Sequence, residues 1–257
     1  MFGTDERYGQ VATTKQRTLR STTEGIDMTK RILIIGGGSG IGRALASELT
    51  TRGDDVLIAA RDTARTAADF PDLDVVHADL GDEASIAALV EAGSFDAVVS
   101  LAAAHANGPV GELDRQAVEG AFGAKVVGPI LLAKHLAPVM RPGGVFVLFS
   151  GVAAWKPAPG LAVMATTNGA VSFLVEALAV ELAPLRAVAV SPGIIDSGAW
   201  DGMGDDAKRQ MFEETAGANP VGRVGSPADV VSAVLLAIDN TFVTGTTLHI
   251  DGGGRLG

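Results

Sequence analysis

Between residues 31 and 250, short apolar runs alternate with longer stretches in which apolar residues recur every three or four positions. The runs Arg31–Ile35, Val56–Ala60, Val75–Leu80, Phe95–Leu101, Val145–Ser150, Ala187–Val190 and Thr247–Ile250 predict strands. The periodic stretches predict helices from Arg43 through Leu49, over Glu83–Glu91, Asp114–Val139, Gly160–Leu182 and Ala228–Ile238. Strands alternating with helices imply an α/β fold with a doubly wound parallel sheet, helices covering both faces. Residues 29–257 read as a single domain. Residues 1–28 are polar, without apolar periodicity or a signal-peptide stretch, and are expected to be a flexible extension; Met28 is a candidate alternative start.

The first strand runs into Gly36-Gly37-Gly38-Ser39-Gly40-Ile41-Gly42 and then into the first helix. Glycines between a strand and a helix allow positive φ and close approach of a pyrophosphate, which the first N–H groups of the helix then face. That makes a dinucleotide site the expected function of Gly36, Gly38, Ser39, Gly40, Ile41 and Gly42. The second strand ends in Ala60-Arg61, without the carboxylate that binds an NAD ribose about 20 residues past the glycines. Arg61, helped by Arg43, suits the 2′-phosphate of NADP(H), so NADP(H) is expected in preference to NAD(H). The alternative for Arg61 is a solvated strand-end arginine, with Asp62 opposing an anion.

Composition narrows the partners. A net charge of −10 disfavours nucleic acid and anionic membrane surfaces, and the chain has no cysteine for disulfides or thiolate metal sites. No unbroken apolar run approaches the roughly 18 residues that span a bilayer. A small-molecule substrate and a cytoplasmic protein are the expectation. No spacing among the histidines and carboxylates suggests a metal site.

Taken together, these motifs resemble the short-chain dehydrogenases/reductases over nearly all of Lys30–Gly253. Gly36, Gly40 and Gly42 match that family's glycine turn, with Ile35 in place of its threonine. Asp79-Leu80 resembles the pair that binds the adenine amine, and Ala102 keeps a small residue near the cofactor after the fourth strand. Pro192-Gly193-Ile194 resembles the segment flanking the nicotinamide, with Ser197 where a threonine usually binds the carboxamide. The resemblance implies a Rossmann-fold oxidoreductase and a homodimer or homotetramer paired through its two long helices.

The departures fall on the chemistry. Aligning Gly169-Ala170-Val171 behind the family's Tyr-x-x-x-Lys puts Met164 at the tyrosine and Asn168 at the lysine, while the only tyrosine is Tyr8. Lys125-Val126-Val127-Gly128-Pro129 resembles Asn-x-x-Gly-Pro, so lysine and asparagine have exchanged positions. If the two side chains meet, an ammonium still lies near the cofactor; otherwise Lys125 faces solvent or a subunit interface. Ser150 is the candidate for the family's serine, although counting back from Met164 without gaps puts Gly151 there.

Further candidates for a polar catalytic partner are His105 after the fourth strand, whose alternative is a surface residue, Trp155 and Lys156 after the fifth, and Asp196, Trp200 and Asp201. His77 and His249 read as structural strand residues, and His135 as a helix residue suited to oligomer packing. Pro192–Pro220 reads as a long loop, with a substrate lid at about 193–220 and Trp200, Met203, Met211 and Phe212 as an apolar wall. A thioether has no proton to give and an amide does not give one readily, so ordinary ketone reduction by the family mechanism is not expected. The expectation is an oxidoreductase with an atypical set, Met164, Asn168, Lys125, Ser150 and His105, acting on a conjugated alkene, imine or carbonyl. Its rival is a non-redox cofactor-binding protein: a regulatory scaffold, or an isomerase or cyclase using the same pocket.

Overall fold

In a computed structural model, which describes residues 29–38 and 40–257, seven strands pair side by side in the order β3-β2-β1-β4-β5-β6-β7. They are β1 (Arg31–Ile35), β2 (Asp55–Ala60), β3 (Asp74–His77), β4 (Ala97–Ser100), β5 (Val145–Phe149), β6 (Arg186–Pro192) and β7 (Thr246–Ile250). Every pairing is parallel. The expected extension at 1–28 and Ser39 lie outside the described residues.

Alternation along the strands builds two apolar cores. Ile32, Ile34, Val56, Ile58, Val147 and Val190 face one side, where α1 (Gly40–Thr51) and α8 (Pro227–Asp239) pack through Leu45, Leu49, Val230 and Val234. Leu33, Ile35, Leu57, Phe146, Leu148 and Ala189 face the other, under α3 (Glu83–Ala88), α5 (Gly128–Leu136) and α6 (Ala162–Glu181). Because strand order reverses between β1 and β4, a crevice opens there at the carboxyl ends of the strands.

The structure corrects several expectations. The predicted helix over 114–139 is interrupted: α4 (Arg115–Phe122) passes through a π-helical turn at Gly123–Val127 before α5. A short helix, α2 (Thr63–Asp69), follows β2, capped by the Asp62 carboxylate accepting from Arg65 N. The lid region is not loop throughout, because α7 (Asp205–Ala218) fills half of it. Its pattern carries few buried positions, so apolar periodicity did not reveal it. His77 is exposed rather than a buried strand residue, since β3 is the sheet edge.

Two segments, Arg115–Val139 and Ala162–Glu181, are long and apolar enough to cross a membrane by length and composition, where the count of unbroken apolar residues finds none. Both cover the sheet here, burying Leu132, Leu136, Val171 and Val175.

Arg186, one residue ahead of the predicted sixth strand, is buried without a carboxylate partner among the described residues. Its guanidinium instead donates to Ala237 O at 2.6 Å, Ile238 O at 3.1 Å, Val243 O at 3.0 Å, Asn240 O at 3.2 Å and Gly143 O at 3.3 Å. A cation thereby closes the C-terminus of α8, where unpaired carbonyls and the helix dipole favour positive charge. Arg186→Met strands those carbonyls, and urea unfolding is expected to show a loss of about 3 kcal/mol. A loss below about 0.5 kcal/mol would contradict this account.

Candidate active site

The glycine turn is held by close approaches that leave no room for side chains. Gly36 has φ +86°, and a Cβ there would lie 3.1 Å from Ala102 N, which sets the turn against the chain leaving β4. A Cβ on Gly42 would lie 2.6 Å from Gly36 O, so α1 begins hard against the turn. A Cβ on Gly40, at φ +52°, would lie 3.1 Å from Ser197 O, and one on Gly193 would meet Asp251 Cα at 2.8 Å. Ile41 packs against the core beside α1. The sequence-predicted residues Gly36, Gly40, Gly42, Ala102, Gly193 and Ser197 thus converge on one crevice. Such a cradle, which any Cβ would fill, fits the pyrophosphate and nicotinamide ends of a dinucleotide.

Beyond β3, Asp79 Oδ1 accepts from Gly81 N at 2.9 Å, and Leu80 presses on Gly128, where a Cβ would lie 2.7 Å from Leu80 Cβ. Pro192 closes β6, and Ile194 O accepts from Gly225 N at 2.9 Å. The Arg61 side chain is exposed and has no ion-pair partner among the described residues. Arg43 is not free in the same way: its guanidinium lies 3.1 Å from Asp69 Oδ2, over the Phe70 ring, and 3.4 Å from Gly38 O. Asp62 is turned into the cap of α2 instead of opposing an anion beside Arg61.

Lys125 and Asn168 meet. Lys125, inside the π-helical turn, donates to Asn168 Oδ1 at 2.8 Å, Phe149 O at 2.8 Å and Ser150 O at 3.1 Å. Three N–H donors find three acceptors, so the ammonium is satisfied where it is enclosed. Burial still pulls its pKa down to about 8. Asn168 is itself buried, one turn beyond half-buried Met164 on α6.

Ser150 stands differently from its expected role. Strand alternation turns it with Phe146 and Leu148 toward α6, where its Oγ donates to Asn168 O at 2.8 Å and lies 3.4 Å from Ser172 Oγ. Its hydroxyl is therefore engaged in the core and is not presented to the crevice. His105 lies on the exposed loop after β4, and both partial burial and the Lys125 charge lower its pKa, so the neutral ring predominates near pH 7. His249, expected to be structural, stacks edge-on against Trp155 with ring centroids 4.8 Å apart. His135 Nε2 lies 2.9 Å from Glu83 Oε1. No cluster of metal-ligating side chains occurs among the described residues.

The segment carrying α7 is pinned by charge as well as by apolar contact. Lys208 Nζ of α7 lies 2.8 Å from Asp196 Oδ1 and 2.7 Å from Asp201 Oδ1, and Trp200 Nε1 donates to Ile195 O at 3.0 Å. Phe212 sits under Lys208 in a cleft between α7 and the Arg223-Val224 segment.

Comparison with known proteins gives these contacts a context. A family profile described as enoyl-(acyl carrier protein) reductase matches residues 36–254. The chain is 31% identical to L-fucose dehydrogenase from Bos taurus, over 89% of this chain and 90% of that protein. A crystal structure of a small-chain dehydrogenase in complex with NADPH superposes with a TM-score of 0.80 at 35% identity, covering 89% of this chain and all of that one. The MalC reductase/Diels–Alderase from Malbranchea aurantiaca superposes with a TM-score of 0.83 at 26% identity, covering 89% and 97%.

The Lys125 geometry predicts a pH signature. Its pKa is about 8 folded against 10.5 unfolded, so between those values the unfolded chain holds the extra proton and stability rises with pH. Urea unfolding of the wild type relative to Lys125→Met is expected to show the wild type gaining across pH 8 to 10.5. A difference that stays flat through that window argues against the enclosed ammonium.

Proposed function

The chain belongs to the short-chain dehydrogenase/reductase family, a family of oxidoreductases, and from that premise we propose an NADP(H)-dependent reductase that transfers hydride without a tyrosine acid. The observation that carries this reading is the Lys125–Asn168 hydrogen bond at 2.8 Å, standing at the positions where the family holds its asparagine and lysine. Decay of a catalytic pair would not be expected to leave both partners matched. A buried lysine without acceptors is costly, and here every donor has one.

When bound, the nicotinamide cofactor supplies a hydride. Arg61 would hold the 2′-phosphate, supported by its unpaired guanidinium and by the withdrawal of Asp62 into a helix cap. Lys125 and Asn168 would orient cofactor and substrate, and Met164 would form an apolar wall where a phenol stands in relatives. Substrates that accept hydride without a strong acid fit such a set: a conjugated alkene, whose electron pair moves to a remote oxygen while water returns the proton to carbon, or an imine. A profile described for enoyl reduction supports the first. Ordinary ketones fit less well, because Ser150 Oγ is engaged by α6 and His105 is the remaining titratable partner.

A second reading keeps the cofactor pocket but not hydride transfer, as an isomerase, a cyclase or a regulatory scaffold. The similarity to a reductase that is also a Diels–Alderase supports it. In either case we propose a cytoplasmic homodimer or homotetramer. Apolar Val127, Ile130, Phe173 and Val180 stand exposed on the two long helical segments expected to pair.

Calorimetric titration with NADPH and with NADH tests the reading. NADPH is expected to bind more tightly, and Arg61→Ala to weaken NADPH by about 10- to 100-fold while leaving NADH unchanged. No heat with either cofactor would sink the oxidoreductase reading, and equal affinities would remove the role of Arg61.

A further inference from the structure

An ammonium carries only donors, so the atom of Asn168 that faces Lys125 must be the amide oxygen. The Asn168 Nδ2 group therefore points the other way, toward residue 151. A Cβ built on Gly151 would lie 2.7 Å from Asn168 Nδ2 and 3.3 Å from its Cγ, so the amide occupies the space of a side chain at that position. Gly151 has φ 172°, extended backbone that any residue adopts. Its glycine is needed for space rather than for conformation.

Gly151 is also where the gap-free count puts the family's serine. No residue among those described accepts a hydrogen bond from Asn168 Nδ2. Nor is the group sealed in, since the enclosed polar atoms without partners are Arg31 Nε, Asp54 Oδ2, Ser191 Oγ and His249 Nδ1. A donor with a fixed orientation and no acceptor among the described residues stands beside Gly151, just past the carboxyl end of β5.

We propose that Asn168 Nδ2 is the donor that holds the acceptor atom of the substrate, and that Lys125 and Gly151 are the positioning residues that aim it. The inference rests on reading this cleft as the hydride-transfer site. It narrows the substrate to a neutral compound bearing a carbonyl oxygen. An amide N–H strengthens its bond to that oxygen as negative charge develops and need not give up its proton. A cationic iminium would sit beside the Lys125 charge and is disfavoured by it.

Asn168→Asp keeps an oxygen for Lys125 and removes the donor. With NADPH and cyclohex-2-enone as the probe, it is expected to lower kcat about 100-fold, a loss far larger than any change in NADPH affinity by calorimetry. Gly151→Ala is expected to lower kcat similarly when Asn168 is present and to cost nothing further in an Asn168→Ala background. Wild-type kcat in Asn168→Asp, or an additive loss from Gly151→Ala, overturns the assignment. A binding readout covers the case in which the wild type turns over no enone, ketone or imine, which would defeat the hydride-transfer reading by itself. With NADP⁺ present, cyclohex-2-enone is expected to shift the Asn168 side-chain amide resonance. The absence of that shift overturns the donor role whether or not turnover occurs.

Discussion

A lysine ammonium taken out of water must find acceptors, and that requirement organises the centre of this molecule. Lys125 draws on the last carbonyls of β5 and the first residue beyond it, and on one amide from α6. The π-helical turn that carries it shifts the register between α4 and α5, a local irregularity of a kind that often accompanies functional sites. Three elements distant in sequence are thereby tied at one point. With all three donors engaged, the ammonium has no bond left for a substrate, which separates its charge from its capacity to donate.

Around that point the fold works by excluding side chains. Gly36 against Ala102, Gly42 against the turn, Gly193 against Asp251 and Gly128 against Leu80 each bring two backbones, or a backbone and a side chain, closer than a Cβ permits. The crevice formed is narrow and rich in backbone, suited to an extended anionic ligand approached by N–H groups. Gly151 obeys the same rule with a different result, since the space it vacates is filled by the Asn168 amide.

Charge is handled alike elsewhere, by carbonyls rather than carboxylates. Arg186 is buried against the C-terminal carbonyls of α8, as Lys125 is against those of β5. In both cases backbone dipoles neutralise a cation that has no anionic partner among the described residues, and the burial is tolerated because carbonyl oxygens accept from each of its nitrogens. The surface behaves otherwise: Lys208 bridges Asp196 and Asp201, an ion-pair network holding α7 over the cleft.

Sequence alone determined the parallel sheet, the glycine turn and the lack of a carboxylate at the tip of β2. These are properties of local periodicity and spacing, which a linear pattern carries. It missed α7, which buries no residue fully and carries only a half-buried stripe at Met211, Phe212, Thr215 and Ala216, and the cap of α8 by Arg186, which depends on contacts some 50 positions away. Only tertiary structure decided where side chains end. Lys125 and Asn168 are 43 residues apart, and whether they meet depends on how α5 and α6 cross the sheet. Ser150 shows the converse: its identity suited a catalytic serine, but strand alternation turned it toward α6, and the adjacent glycine left the opening that the amide fills.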